Sequence, residues 1–293
     1  MSGLIGFIGL GVMGEPICRN LLRKSGRTVL AFDLAAEPLA RIVADGATAA
    51  KSVGDVVGGS QTIFLCLPSA KHVMSVFSGI LPEIKSGQTV IDLGTSDVSL
   101  TRSFAKQLAD KGALWIDAPI ARTRQAAQDG TLSVMVGATP EQFSKIEPLI
   151  RHFATDVTLC GGTGAGQVTK ILNNMVLFET VNALAEAVAV AKHSGVEPKL
   201  LLETLSKGSA DCFALRNHGM KAIIAKDFPL RAFSTEYAMK DLTYALELAG
   251  DAGLNLRGAA LMRTIFQETI DKGMGDAYFP VIAKLIDPSG FPQ

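Results

Sequence analysis

Cysteine is scarce and unpaired in the sequence. Cys18, Cys66, Cys160 and Cys212 lie far apart with no Cys-x-x-Cys spacing, which argues against a disulfide framework or a zinc module and for small buried side chains. The four histidines, His72, His152, His193 and His218, are equally scattered, so no metal is expected. An excess of one charge is also missing: 28 Lys and Arg balance 28 Asp and Glu, with no basic tail or charge block. Binding to nucleic acid or to a membrane surface through bulk electrostatics is therefore not expected. No uninterrupted run of about 20 apolar residues is present to cross a bilayer. The opening MSGLIGFIGLGVMG lacks a basic start and glycines break its apolar run, so no secretory leader is expected and the cytoplasm is the expected location. Internal repeats and low-complexity segments are absent.

What is present is a chain of 293 residues, 48% hydrophobic, long enough for two domains and rich enough for a sizeable core. Its first half alternates short apolar runs with segments of helical periodicity. The runs at 4–9, 28–33, 62–68, 88–94, 114–119 and 132–137 read as strands, and 12–24, 37–46, 70–80 and 99–112 as helices. That alternation predicts βαβ units and an α/β, mostly parallel sheet. After about residue 163 the strand signals stop. Residues 166–193 could run as one helix of about 28 residues, roughly 42 Å long, with Gly195 as its C-cap and Pro198 as a stop. Further helices are predicted in 198–208, 234–253 and 258–273. A largely apolar helix needs cover, from the other helices and from a second subunit. The expected organisation is a nucleotide-binding domain over 1–163, a hinge at Gly161–Gly164, and an all-α domain over 164–293 that also serves oligomerisation.

The first unit contains Gly9-Leu10-Gly11-Val12-Met13-Gly14, a G-x-G-x-x-G between strand and helix. Gly9 permits a tight turn, Gly11 lets backbone approach a pyrophosphate, and Gly14 lets helix pack on strand, with the anion held at the helix N-terminus. Asp33 follows 19 positions after Gly14, where a carboxylate can bond a ribose diol. The same carboxylate would repel a 2′-phosphate, and Leu34-Ala35-Ala36 supplies no arginine, so NAD is expected rather than NADP. These features describe a Rossmann-type, doubly wound fold.

Several separated motifs together resemble the β-hydroxyacid dehydrogenases, the family of 3-hydroxyisobutyrate dehydrogenase, over almost the whole length. GFIGLGVMGEP resembles that family's N-terminal signature, and LCLPS (65–69) its cofactor-contacting loop, with Leu67 and Pro68 in place. DLGTSDV (92–98) keeps a threonine, Thr95, expected near the nicotinamide, while Gly94 and Val98 replace a serine and a proline. DAPIARTRQAAQDGTLSVMVG (117–137) is similar to the substrate loop, GAGQVTKILNN (164–174) to the catalytic element, and FSTEYAMKDL (233–242) to a late element whose Lys240 would sit over the cofactor.

The resemblance implies a hydride exchange between NAD(H) and a small hydroxy acid, with Lys170 as general acid/base and Asn174 beside the substrate. Lysine titrates near about 10.4 in water, and burial together with nearby positive charge lowers it toward a working range. Asn174, at i+4, shares a face with Lys170; Asn173 is expected on the same side, and the glycines at 164–166 are expected to let substrate approach the helix start. Where the family has Ser-Gly-Gly this chain has Ala121-Arg122-Thr123. An arginine there suits a carboxylate, phosphate or sulfonate, unless it faces solvent or pairs with Asp129. The Arg-Thr pair also resembles the loop of 3-sulfolactaldehyde reductase. The expected substrate is a small anionic 3-hydroxy acid or semialdehyde, bound where the two domains meet, in a homodimer or homotetramer. Alternatives are a 3-sulfolactaldehyde reductase, a 4-hydroxybutyrate/succinic semialdehyde-type reductase, an imine reductase, a 6-phosphogluconate dehydrogenase, or a catalytically silent scaffold. Lys170, the absence of basic or reader segments, and the short C-terminal region weigh against the last three.

Overall fold

A computed structural model describes residues 3–230 and 232–291. By packing, the chain divides between Lys170 and Ile171, within a helix, into two compact units; the sequence places the boundary at 163/164.

The first unit runs β1 (Ile5–Ile8), α1 (Gly14–Lys24), β2 (Val29–Phe32), α2 (Ala36–Ala44), β3 (Thr48–Ala49), α3 (Val53–Gly59), β4 (Thr62–Leu65), α4 (Ala70–Glu83), β5 (Thr89–Asp92), α5 (Val98–Ala109), β6 (Leu114–Asp117), β7 (Ile120–Ala121), α6 (Arg124–Asp129), β8 (Leu132–Gly137), α7 (Pro140–Ile150) and β9 (Ala154–Gly161). The sheet order is β3-β2-β1-β4-β5-β6-β8-β7, with β9 on β8. Strands β3 to β6 along this path pair in parallel, and β8 turns antiparallel to β6 and β7.

Side chains alternate across the sheet with the period of two that a strand imposes. Phe7, Phe64, Ile91 and Ile116 pack with Ile17, Leu21, Ile42, Leu149 and Ile150 from α1, α2 and α7. Ile8, Ile63, Val90 and Trp115 pack on the other face with Val56, Phe77, Ile80, Phe104 and Leu108 from α3, α4 and α5. Both faces are covered by helices, which is why these strands read as continuous apolar runs. The order reverses between β1 and β4, and in doubly wound sheets ligands bind beyond the strand carboxyl ends at such a switch.

The long helix α8 (Ala165–His193) follows, then α9 (Pro198–Leu205), a π-helical segment Leu215–Ile224, α10 (Thr235–Asp251), α11 (Arg257–Thr269) and short helical segments as far as Gly290. Phe178, Val181, Leu184 and Ala185 of α8 enter an apolar core with Leu242, Phe266 and Phe279; Phe178 meets Phe266 and Phe279 edge-on at centroid distances of 5.3 and 5.2 Å, a favoured quadrupole geometry. By length and composition α8 is apolar enough to cross a membrane, yet these residues are buried in protein.

Six elements of the first unit were not read from the sequence: β3, α3, β7, α6, α7 and β9. β3 and β7 are two residues each. β9 has a mostly exposed or half-buried edge pattern, so it shows no apolar run. α7 was legible in hindsight, because Thr139 and Gln142 form a capping box.

Candidate active site

The glycine turn joins β1 to α1 as the spacing requires. Gly9 has φ +97°, a left-handed value that glycine adopts without strain, and a Cβ there would press on the Cys66 carbonyl and lie 3.0 Å from Leu67. A Cβ on Gly14 would run into the Gly9 carbonyl oxygen, whereas Gly11 has nothing within 4 Å of that position. Val12 is exposed and Met13 leans on the sheet core. Helix α1 starts after Met13 with no side-chain cap, so no side chain meets the partial positive charge of its N-terminus. Asp33, half-buried at the end of β2, accepts the Leu10 N–H at 2.5 Å and the Ala35 N–H at 2.7 Å, so its carboxylate is fixed beside the turn. Open space over Gly11, an uncapped helix start and a fixed carboxylate fit a dinucleotide's pyrophosphate and ribose.

The neighbouring strand ends close up around this turn. Leu67 is half-buried and Pro68 exposed after β4. A Cβ on Gly94 would lie 2.9 Å from the Leu67 carbonyl oxygen, which explains glycine where the family pattern has serine. Asp92, fully buried at the end of β5, accepts the Gly94 N–H at 2.9 Å and the Ser96 hydroxyl at 3.0 Å. Thr95 between them is buried. Gln167 of α8 brackets that threonine: its amide donates to the Gly94 carbonyl at 2.9 Å and its carbonyl oxygen accepts the Ser96 N–H at 3.0 Å.

The start of α8 is sealed onto the sheet by Asp117 at the end of β6. One carboxylate oxygen accepts the Gly164 N–H at 2.8 Å and the other the Gln167 N–H at 3.0 Å. Burial raises this carboxyl above its ordinary range, opposed by those backbone donors. A Cβ on Gly166 would lie 2.8 Å from the carboxylate, 2.9 Å from the Gly137 nitrogen, and against the Met135 carbonyl; one on Gly164 would meet Arg102 and Val98 at 3.1 Å. The glycines at 164–166 therefore serve close packing of helix on sheet, not substrate approach as the sequence suggested. Lys170 is half-buried one turn beyond Gln167.

The Ala121-Arg122-Thr123 turn departs from expectation in its partners. Ala121 pairs with Ser133 in the sheet. The Thr123 hydroxyl caps α6 at the Ala126 N–H. Arg122 donates to the Thr131 carbonyl at 2.6 Å and the Thr155 hydroxyl at 3.0 Å, and pairs with Asp156 at 2.7 Å. Asp156 therefore stands where the sequence offered Asp129, which accepts from Gln125 instead. Arg122 also has φ +87°, a left-handed conformation costly for a large side chain.

In the second unit Asn174 is 1% exposed and donates to Asp241 at 2.6 Å. Asn173 is exposed and donates to Asn174 at 3.1 Å; the two asparagines do not share a side, because consecutive helical residues point about 100° apart. The Lys240 ammonium lies 4.0 Å from the Tyr237 ring centroid and 3.1 Å from Asp241, a cation–π arrangement. No group of His, Cys, Asp or Glu able to hold a metal ion occurs among the described residues. Burial pushes the Cys18 and Cys66 thiols up to about 12, which makes them unreactive. Sequence reasoning missed Asp92, Asp117, Gln167 and Asp241, although all four lie inside quoted motifs, at strand ends, one turn before Lys170 or next to Lys240.

Comparison with known proteins identifies the family. Residues 4–162 match the NAD binding domain of 6-phosphogluconate dehydrogenase, and residues 164–286 match the NAD-binding domain of NADP-dependent 3-hydroxyisobutyrate dehydrogenase. The chain is 36% identical over 284 residues to 2-(hydroxymethyl)glutarate dehydrogenase of Eubacterium barkeri, covering 96% of this chain and 94% of that protein. It is 31% identical over 293 residues to the NAD-dependent L-serine dehydrogenase of Pseudomonas aeruginosa, covering 97% and 98%. A solved 3-hydroxyisobutyrate dehydrogenase from Mycobacterium tuberculosis with L-serine superposes with a TM-score of 0.90 at 26% identity, over 98% of this chain and 100% of that one. A Rossmann-type sheet with its fingerprint, a helical second unit and whole-length relatives converge: the chain belongs to the β-hydroxyacid dehydrogenase family, oxidoreductases with an NAD(P)-binding domain.

Proposed function

We propose that the protein interconverts a small anionic 3-hydroxy acid and its semialdehyde, with NAD in preference to NADP and with Lys170 as general acid/base. The observation that carries this reading is Gln167, which ties the Thr95 loop to the turn of α8 that bears Lys170. The nicotinamide, when bound, takes or supplies the hydride at the substrate carbon. In oxidation the alcohol O–H proton passes to the neutral Lys170 amine; in reduction the ammonium returns it to the carbonyl oxygen. Asn174, one turn along the same helix, holds the substrate oxygen, its carboxamide oriented by Asp241. Asp33 supports the NAD preference, because a carboxylate already fixed by two N–H groups cannot turn away from a 2′-phosphate.

The Ala121–Thr123 turn meets the substrate's anionic group. Arg122 keeps a sulfonate in play beside a carboxylate, since a guanidinium fork suits both. The named substrates of the relatives, 2-(hydroxymethyl)glutarate, L-serine and 3-hydroxyisobutyrate, support an anionic 3-hydroxy acid. A homodimer or homotetramer is the assembly we propose; Leu172, Val176 and Val190 leave exposed apolar surface on α8.

A coenzyme-coupled screen tests the reading in both directions with L-serine, 3-hydroxyisobutyrate, 4-hydroxybutyrate, 2,3-dihydroxypropanesulfonate and the matching aldehydes. Lys170→Ala lowers kcat by about 10²–10⁴-fold, the usual worth of a positioned acid/base, while NADH affinity measured by fluorescence stays within about twofold. Turnover of none of these compounds would favour the scaffold reading, and a modest loss in Lys170→Ala would remove its assignment.

A further inference from the structure

The first two turns of α8 contain an arrangement that neither a cofactor nor a substrate contact explains. Two buried side chains, Asp117 at the end of β6 and Gln167 on the helix itself, fix one short piece of helix. Asp117, 0% exposed, accepts two backbone N–H groups at the helix start, from Gly164 and Gln167. These bonds set the depth at which the helix enters the sheet. Gln167, also 0% exposed, donates to the Gly94 carbonyl and accepts the Ser96 N–H. That bidentate clamp sets the rotation of the helix about its own axis, and reaches 71 to 73 positions back along the chain. Asp92 holds the opposite side of the same loop through the Gly94 N–H and the Ser96 hydroxyl. Gly166 leaves no room for even a methyl group between helix and sheet, so the helix cannot slide without breaking these bonds.

Lys170 is three residues after Gln167, and residues three apart on a helix are surface neighbours. A helix fixed in depth and rotation at residue 167 delivers the side chain at 170 in one place. We propose that Gln167, together with Asp117, is a positioning residue for Lys170: it locks the catalytic turn of α8 to the Thr95 loop, so that amine and loop keep one registry. Reaction rates are sensitive to such registry, since a displacement of about 1 Å remote from the chemistry can cost about 10²-fold. The inference rests on the reading of Lys170 as acid/base.

The test compares the wild type, Gln167→Met and Lys170→Ala. Methionine keeps the length and shape of glutamine and removes both hydrogen bonds. Three quantities are read: turnover of 3-hydroxyisobutyrate with NAD+, the thermal midpoint, and the pH at which Lys170 is half-acetylated by acetic anhydride, mapped by mass spectrometry. Gln167→Met is expected to lower kcat by about 10- to 100-fold with KM within about threefold, and to move the Lys170 midpoint by about half a pH unit or more, because the amine leaves its fixed surroundings. Gln167→Glu, which can still accept from Ser96 but cannot donate to Gly94, should fall between the two. A folded Gln167→Met protein with wild-type kcat and an unmoved Lys170 midpoint would overturn the inference, since a structural role alone shifts only the thermal midpoint. If Lys170→Ala is as active as the wild type, the functional reading fails, and the acetylation midpoint alone then decides whether Gln167 positions the amine.

Discussion

Two glycine-rich turns in the first unit lead into helices, and they are used in opposite ways. Gly9 to Gly14 opens α1, whose start carries no side-chain cap and has open space over Gly11. Gly161 to Gly166 opens α8, whose start is filled by the Asp117 carboxylate and by the backbone of β8. The local sequence grammar is the same, and the electrostatics is the same, because each helix presents partial positive charge at its N-terminus. What differs is the source of the anion. At α8 the protein supplies it from its own β6, and the helix becomes an anchor for the lysine. At α1 no side chain caps the helix start, and the proposed reading places the cofactor's pyrophosphate there. A glycine-rich helix start is thus a binding feature only where nothing in the fold has already occupied it.

Paired substitutions break this comparison most sharply. Gly11→Asp should fold with a thermal midpoint near that of the wild type, yet weaken NADH binding by about 100-fold, because it brings a carboxylate to an anion site. Gly166→Ala should do the reverse, lowering the thermal midpoint by at least about 5 °C through overpacking against Met135 and Gly137. Calorimetry and NADH fluorescence on both variants decide it; equal effects on stability would erase the distinction.

A third turn tests whether a side chain already bonded within the fold still serves a ligand. Arg122→Gly keeps the left-handed backbone that φ +87° demands and removes the guanidinium. KM for the anionic substrate is expected to rise by about tenfold with no loss of thermal stability, since glycine relieves strain there. An unchanged KM would confine Arg122 to its bonds with Thr131, Thr155 and Asp156.

Asp33→Ala sharpens the picture of the open site. The ratio of kcat/KM for NAD over NADP should fall by about tenfold once the carboxylate is gone. Steady-state kinetics with both coenzymes would show it, and a constant ratio would count against Asp33 as the selector.

A last prediction concerns stability alone, at a buried group remote in sequence from both turns. His218 shares a hydrogen bond with the Tyr278 hydroxyl, and burial lowers its pKa from 6.5 to about 4. A histidine held neutral in the fold contributes stability that is complete above 6.5 and is lost as pH falls from 6.5 through about 4. The loss reaches at most roughly 3 kcal/mol, at about 1.4 kcal/mol per tenfold change in proton affinity. The drop in thermal midpoint between pH 7 and pH 4.5 should therefore shrink in His218→Asn; an equal drop would assign acid sensitivity elsewhere.

The amino-acid sequence alone determined the features written in local patterns. Apolar runs doubly covered by helices, the fingerprint at Gly9 to Gly14 and Asp33 at the end of β2 were all legible, because each depends on neighbours a few residues away or on a fixed βαβ spacing. The length of α8 was legible for the same reason. Tertiary structure decided which polar groups satisfy which backbone donors. Asp117 and Gln167 act on loops about 50 and 70 positions away, and Arg122 found Asp156 on β9, a strand whose half-exposed pattern hides it. Such pairings follow from the requirement that buried hydrogen-bonding groups be satisfied, and that requirement names a partner only once the chain has folded around it.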